Sequence, residues 1–387
     1  MSAFTDLDAR RVSEAIDLAE QSIGLSDPNP RVGCIVGRAD GAVLGRGHTQ
    51  RAGEAHAEVM ALRDATAGGY STRGTTVWVS LEPCAHHGRT PPCCDTLIDA
   101  AIARVVVAMS DPFPGVAGRG LDRLRAAGVE VVMAPGELAD RARELNIGFV
   151  SRHTRGRPWV RMKSAISLDG RSALLNGESQ WITGEAARAD GHRWRRRAGA
   201  VVTGIGTVLR DDPRLDVRLQ ATVLQPMRVV LDSHWRTPAN ARVLQPPGEA
   251  LICGLHDGLE DARQRLGDRC QLLPLPVRQP LVAADACREH TGVDLHLLLT
   301  ALAKRELNEV HLEAGSVLSG EFLRRGLVDE WIVYLAPMLI GPGLPAAAMP
   351  ALAHVSAAPR WSLKESMPLG EDLRLCLRPR PATHPNR

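Results

Sequence analysis

Aromatic side chains are scarce in this 387-residue chain: 2 tyrosines, 4 phenylalanines and 7 tryptophans make up 3% of it. So thin a supply leaves few platforms for base stacking, and a net charge of +3 is too small to carry nucleic-acid binding by itself. Long apolar runs are missing too. No stretch offers the roughly 18 uninterrupted apolar residues of a membrane helix, so no membrane partner is expected. The opening MSAFTDLDARRVSEAIDLAEQ is amphipathic and acidic from its first turns, unlike a secretory signal, which predicts a cytoplasmic location. Eight cysteines would suit a disulfide scaffold in a short secreted chain, but the length and the missing signal argue instead for reduced thiols at Cys34, Cys253, Cys270, Cys287 and Cys376. The one concentrated basic run is Arg193-Trp194-Arg195-Arg196-Arg197, which reads on its own as a solvated helix face.

The chain does have length for two domains of about 100 to 200 residues each. Its 44% hydrophobic and 24% charged residues are ordinary for a globular protein. Val12, Ala15, Ile16, Ala19 and Ile23 recur at helical spacing and stop at Gly24. Asp27-Pro28-Asn29-Pro30 is then a rigid turn into strands at 32–36 and 42–48. Helices over 57–67, 93–101, 120–127 and 136–149 interleave with strands over 75–81, 104–108 and 129–132. That alternation predicts a three-layer α/β/α domain at 1–150. The basic, turn-rich residues 151–157 are expected to be a linker, 158–378 a second α/β domain and 379–387 a disordered tail. Strands are expected at 159–165, 200–208, 228–233 and 327–340, with edge strands at 250–253 and 271–275; little else is legible between 236 and 290.

Chemistry concentrates between His56 and Cys93. His56-Ala57-Glu58 opens a helix, and Glu82-Pro83-Cys84 ends a strand, with Cys93 nine positions further on (93 − 84 = 9). One imidazole and two thiolates leave a tetrahedral zinc with a position for water, the pattern of a catalytic rather than a structural site. The metal lowers that water's pKa toward neutrality, and Glu58 is placed to move its proton without being a ligand. H-x-E followed by P-C is the signature of zinc deaminases, although their second cysteine usually follows at P-C-x-x-C. Cys94 offers the same chemistry as Cys93, and His86 or His87 would close a purely structural site. In the second half, Gly204-Ile205-Gly206 after a strand is a weak phosphate signal. Glu309 to Phe322 reads as strand, small-residue turn and helix, whose amides suit an anion.

Taken together, PNPRVG at 28–33, HAE at 56–58, LEPCAHHGRTPPCC at 81–94, KSAISLDGR at 163–171 and GESQWIT at 177–183 resemble the bifunctional deaminase/reductases of riboflavin biosynthesis. The likeness covers almost the whole chain. It implies a cytidine-deaminase-like three-layer domain followed by a dihydrofolate-reductase-like α/β domain. It implies one zinc ion on His56, Cys84 and Cys93, Glu58 as proton shuttle, and Asn29 facing the substrate rather than only bracing its turn. The implied substrate is a phosphorylated pyrimidine, a diaminopyrimidinone carrying a ribosylamino 5′-phosphate, which is deaminated hydrolytically and then reduced by NADPH from ribosyl to ribityl. By matching motifs, the cofactor contacts are Ala165, Trp181, Thr207, Asp211, Ser233 and the turn Gly315, Ser316, Val317, Leu318, Ser319, Gly320 and Glu321. The substrate contacts are Ser179, Arg195, Leu215, Arg218 and Glu313, with the two arginines gripping phosphate. Ala165 stands where glycine also occurs in the family, and Ser316 where glycine or proline is common. A homodimer is implied as well. Three rival readings are a nucleoside or tRNA deaminase with a binding module, a zinc-stabilised assembly protein in which Glu58 is incidental, and a chain in which only one half is active.

Overall fold

The computed structural model describes residues 3–88, 91–113, 117–220, 222–245, 247–279 and 292–380. It divides into two compact units, Met1–Arg157 and Pro158–Arg387.

In the first unit, α1 (Asp6–Ala19) begins with a capping box: Thr5 Oγ1 accepts from the Asp8 amide, and Asp8 accepts from the Thr5 amide. Its buried stripe of Val12, Ala15, Ile16 and Ala19 lies on a five-stranded sheet of order β2-β1-β3-β4-β5. The strands are β1 (Gly33–Gly37), β2 (Val43–His48), β3 (Thr76–Val79), β4 (Arg104–Val107) and β5 (Glu130–Met133). β1 pairs antiparallel with β2 and β3, whereas β3, β4 and β5 run parallel. β3 and β4 are near-continuous buried valines with Trp78, as strands covered on both faces require.

Between the strands lie α2 (Ala57–Ala67), α3 (Cys93–Asp99) and α4 (Arg119–Ala126). α2 presses directly on β2: a Cβ at Gly47 would stand 2.3 Å from the Ala57 carbonyl oxygen, and one at Gly45 2.2 Å from that of Ala61. This close seating carries the residues at the head of α2 to the sheet. The helix expected at 136–149 is two helices, α5 (Gly136–Leu145) and α6 (Ile147–Arg155). They break at Asn146, whose buried side chain accepts from the Arg31 amide at 2.7 Å and donates to the Arg31 carbonyl at 2.9 Å. Within the linker expected at 151–157, α6 continues as far as Arg155, and the division between the two units falls at Arg157/Pro158. The turn signal there came from Gly156, which ends the helix in the left-handed region at φ 68°.

The second unit holds a nine-stranded sheet of order β11-β10-β9-β8-β12-β6-β13-β16-β15. Its parallel strands are β6 (Trp159–Ser167), β8 (Ala200–Gly204), β9 (Met227–Leu231), β10 (Ala250–Gly254), β11 (Gln271–Pro274), β12 (Glu309–Leu312) and β13 (Glu330–Ala336). β15 (Trp361–Leu369) and β16 (Asp372–Pro379) add an antiparallel hairpin, and β7 (Arg171–Leu174) pairs separately with β14 (Gly343–Pro345). The helices are α7 (Glu185–Arg197), α8 (Ile205–Asp211), α9 (Leu259–Leu266), α10 (Leu295–Lys304) and α11 (Ser316–Arg324).

Several expectations change here. The strand expected at 200–208 ends at Gly204, where α8 begins. The one expected at 327–340 spans only 330–336. β10 is internal, since β11 covers its outer edge. Residues 236–290 hold β10, α9 and β11, while 280–291, with Cys287, lie outside the described residues. Pro379 closes β16 rather than opening a tail, and 381–387 are also outside the described residues. At the amino ends of the central strands, buried Arg161 pairs with Glu309 at 2.6 Å and Glu330 at 2.5 Å, tying β12, β6 and β13 together. Their carboxyl ends face a cavity. Among the described residues no helix is long and apolar enough to cross a membrane.

Candidate active sites

His56 caps the start of α2, Cys84 follows β3, and Cys93 opens α3. Their ligand atoms all lie within 4.8 Å of one another. His56 Nδ1 is 3.2 Å from Cys93 Sγ and 3.7 Å from Cys84 Sγ, and the Cys93 amide donates to Cys84 Sγ at 3.3 Å. The hydrogen bond from Cys93 is the main influence that pulls Cys84 down to about 4, against burial and with help from His56. Cys93 keeps the proton, held high by that same bond and by burial. A thiolate, a second thiol and a ring nitrogen converging this closely are a donor set that fits zinc, whose binding releases thiol protons.

Glu58, in the first turn of α2, is 4% exposed. Burial, then the negative charge on Cys84, raises its carboxyl to about 6. His86 and His87 are exposed and do not join the cluster among the described residues. Cys94 is turned away, its Sγ donating to the Pro83 carbonyl at 3.1 Å, and burial raises its thiol to about 12. Asn29 lies in the turn before β1, its amide donating to the Ser26 carbonyl at 2.8 Å. Glu82 was not singled out from the sequence. It is 3% exposed, and its carboxylate accepts from the amides of Asp111 (3.1 Å), Gly118 (3.1 Å) and Gly120 (3.0 Å). It thereby clamps the start of α4 beneath the Pro83-Cys84 loop.

In the second unit a cavity of about 1270 Å³ opens at the strands' carboxyl ends, the usual ligand position in open α/β sheets. Its wall brings together Ala165, Trp181, Thr207, Asp211, Ser233, Gly315, Ser316, Val317 and Leu318 from the expected cofactor set. Ser179, Arg195, Leu215, Arg218 and Glu313 from the substrate set join them. Ser319, Gly320 and Glu321 do not line it, because α11 turns them inward. Ser319 is buried, a Cβ on Gly320 would stand 2.2 Å from the Ala348 carbonyl oxygen, and Glu321 pairs with Arg325 at 2.5 Å. Trp181 is 68% exposed, with the Arg188 guanidinium 4.5 Å from its ring centre.

Arg195 does not stand open for a two-pronged phosphate grip. Its Nε and Nη2 donate to Glu313 at 2.5 and 2.9 Å, and Nη1 donates to the Asp216 carbonyl at 3.0 Å. Burial alone would raise the Glu313 carboxyl, but Arg195 outweighs it and holds that group well below the usual range. Arg218 donates to Asp216 at 2.8 Å. Within the basic run, Arg193 is solvated, whereas Arg197 pairs with buried Glu309 at 2.9 Å and leaves the expected solvated face. Sequence reasoning also passed over Lys163 and His192, both on the cavity wall. The one available signal for Lys163 was a second cation, after Arg161, inside a strand expected to be buried.

A tight His/Cys/Cys cluster beside a buried glutamate, joined to a parallel-sheet unit with a large cavity, defines a zinc-type deaminase coupled to a second catalytic domain. Residues 6–109 match the cytidine and deoxycytidylate deaminase zinc-binding region, and residues 158–375 match the RibD C-terminal domain. The chain is 43% identical over 382 residues to the riboflavin biosynthesis protein RibD of Escherichia coli, covering 95% of this chain and 98% of that protein. Among solved structures, RibD of Acinetobacter baumannii superposes with a TM-score of 0.85 at 40% identity, over 97% of this chain and 99% of that one. The diaminohydroxyphosphoribosylaminopyrimidine deaminase/5-amino-6-(5-phosphoribosylamino)uracil reductase of Thermotoga maritima gives 0.83 at 31% identity, over 96% and 99%. The chain belongs to the RibD family of bifunctional riboflavin-biosynthesis enzymes, with its zinc-binding deaminase domain followed by its reductase domain.

Proposed function

We propose that the chain carries out two successive steps on 2,5-diamino-6-(5-phosphoribosylamino)pyrimidin-4-one: hydrolytic loss of a ring amine, then NADPH-dependent reduction of the ribosyl group, giving 5-amino-6-(5-phosphoribitylamino)uracil. The observation that carries this reading is the convergence of His56, Cys84 and Cys93 within 4.8 Å beside buried Glu58. The likeness to the Thermotoga maritima deaminase/reductase, whose name specifies both substrates, supports the same pair of steps.

Zinc held by His56, Cys84 and Cys93 supplies the Lewis acidity that makes water nucleophilic near neutral pH. Glu58 takes the proton from the attacking water and returns it to the departing nitrogen, which leaves as ammonia. Asn29 orients the ring. NADPH bound in the second unit would supply the hydride for this reduction, the C1′–O4′ bond of the ribose opening and O4′ taking a proton from solvent. Ala165, Trp181, Thr207, Asp211, Ser233 and the amides of Gly315 to Leu318 would hold the cofactor, the free amides at the start of α11 suiting an anionic group. Ser179, Leu215 and Glu313 place the substrate, and Arg195 and Arg218 supply positive charge for its phosphate. The same reading takes the chain as a cytoplasmic homodimer, which light scattering on the purified protein checks.

The test supplies this substrate and follows ammonia release and NADPH oxidation separately. Ammonia should appear, stop with a zinc chelator, and be followed by NADPH loss. Glu58→Ala should abolish ammonia release with zinc retained, while reduction of the deaminated intermediate continues. Zinc-loaded protein that releases no ammonia refutes the deaminase assignment. Ammonia release retained in Glu58→Ala refutes the role given to Glu58.

A further inference from the structure

His192 lies on α7 one turn before Arg195, and both side chains reach the cavity wall. Its ring is held by a backbone contact: the Arg218 amide donates to Nδ1 at 3.4 Å. A neutral imidazole that accepts at Nδ1 carries its proton on Nε2. Burial first, then the charges of Arg195 and Arg218, pull its pKa to about 4, against the opposing pull of Glu313 and Asp216. The ring is therefore neutral at pH 7, and its Nε2–H has no acceptor among the described residues.

The neighbouring cations are already engaged. Arg195 gives three of its donors to Glu313 and the Asp216 carbonyl, and Arg218 gives one to the Asp216 carboxylate. A phosphate has three terminal oxygens and takes several donors at once. Charge is supplied here by arginines whose hydrogen bonds are partly spent, beside one neutral ring with a donor left over.

We infer that His192 is a third partner for the substrate's phosphate, donating through Nε2 beside Arg195 and Arg218. This rests on the reductase reading of the cavity. It makes α7 a phosphate-recognition helix with two contact positions three residues apart.

The test measures reductase KM and kcat with the phosphorylated substrate and with its dephosphorylated counterpart, together with inhibition by inorganic phosphate, for wild type, His192→Ala and His192→Gln. His192→Ala should raise KM for the phosphorylated substrate about tenfold and weaken phosphate inhibition in step, with kcat within about twofold, as expected for loss of one hydrogen bond to a charged group. KM for the dephosphorylated substrate should hardly move, which also shows that the variant is folded. His192→Gln keeps a neutral N–H donor and should recover most of the loss. An equal shift for both substrates, or unchanged phosphate inhibition in His192→Ala, overturns the assignment. Failure of the wild type to oxidise NADPH with either substrate overturns the reductase reading itself, a result distinguished by its appearance in the unmutated chain.

Discussion

Serine substitutions at the two adjacent cysteines separate ligand from scaffold. Cys93 contributes one of three donors gathered within 4.8 Å, whereas Cys94 donates to the Pro83 carbonyl at 3.1 Å. Structural zinc binding is worth roughly 10–16 kcal/mol across four ligands, or about 2.5–4 kcal/mol for each. At about 1.4 kcal/mol per factor of ten, loss of one ligand weakens zinc binding by roughly two to three orders of magnitude. Cys93→Ser should therefore emerge from dialysis against a mild chelator without zinc. Cys94→Ser removes no ligand and leaves a smaller hydroxyl near the same carbonyl, so it should keep its zinc and lose only about 1 kcal/mol of stability. The assay is zinc content by atomic emission, with competition against a chromogenic chelator giving the affinity ratio. Zinc lost from Cys94→Ser and kept by Cys93→Ser would refute the geometric argument, and equal retention by both would refute the cluster as the metal site.

Glu82→Gln puts an amide where three backbone N–H groups meet a carboxylate; zinc affinity, measured by the same competition, should fall roughly 10- to 100-fold, the usual cost of losing support behind a ligand. Glu313→Gln deprives Arg195 of its carboxylate, and in urea unfolding the second unit should lose about 2–3 kcal/mol, below the full cost of breaking a buried pair because both side chains keep some exposure. Reductase KM should rise with it while ammonia release is unchanged. Burial would raise the Asp8 carboxyl, but Arg104, Trp78 and Thr5 hold it well below its usual range. Its folded pKa is thus below the unfolded one, so its contribution is full above about pH 4 and is lost as pH falls further; Asp8→Asn should flatten the fall in urea midpoint between pH 5 and pH 2.

The His56, Cys84 and Cys93 cluster was legible because its members sit at the ends of regular elements. The periodicity of α2 places His56 at its head, and an apolar strand delivers Cys84 as it ends. Choosing between Cys93 and Cys94 was beyond residue patterns, since both open the same helix and differ only in where α3 points them. The choice is made by the Pro83 carbonyl, which captures the Cys94 thiol, and by the close seating of α4, where a Cβ on Gly120 would stand 2.1 Å from that same oxygen. Glu82 escaped notice for a related reason: a lone acid after a strand reads as solvated until the returning loop at 111–120 supplies the amides that bury it. Asn146 likewise breaks a helix that its own neighbours would continue, because its partner is Arg31, 115 positions away.

In the second unit the cavity draws single residues from the ends of many elements, so spacing carries little information and the likeness to a family had to supply the set. Where that set was a continuous run, from Gly315 to Glu321, helix geometry divides it. About 100° of rotation per residue keeps the first turn on the cavity and sends Ser319, Gly320 and Glu321 to the packed side. Charge was harder still to read. A row of arginines looks solvated or phosphate-binding, yet in the fold Arg197 belongs to Glu309, and Arg195 is shared between Glu313 and a carbonyl. Buried cations need such partners to offset desolvation, and each partner chosen removes donors from any ligand. Affinity for a phosphate at this cavity is then set by the donors left over as much as by net charge, which is why a neutral histidine beside the arginines can matter.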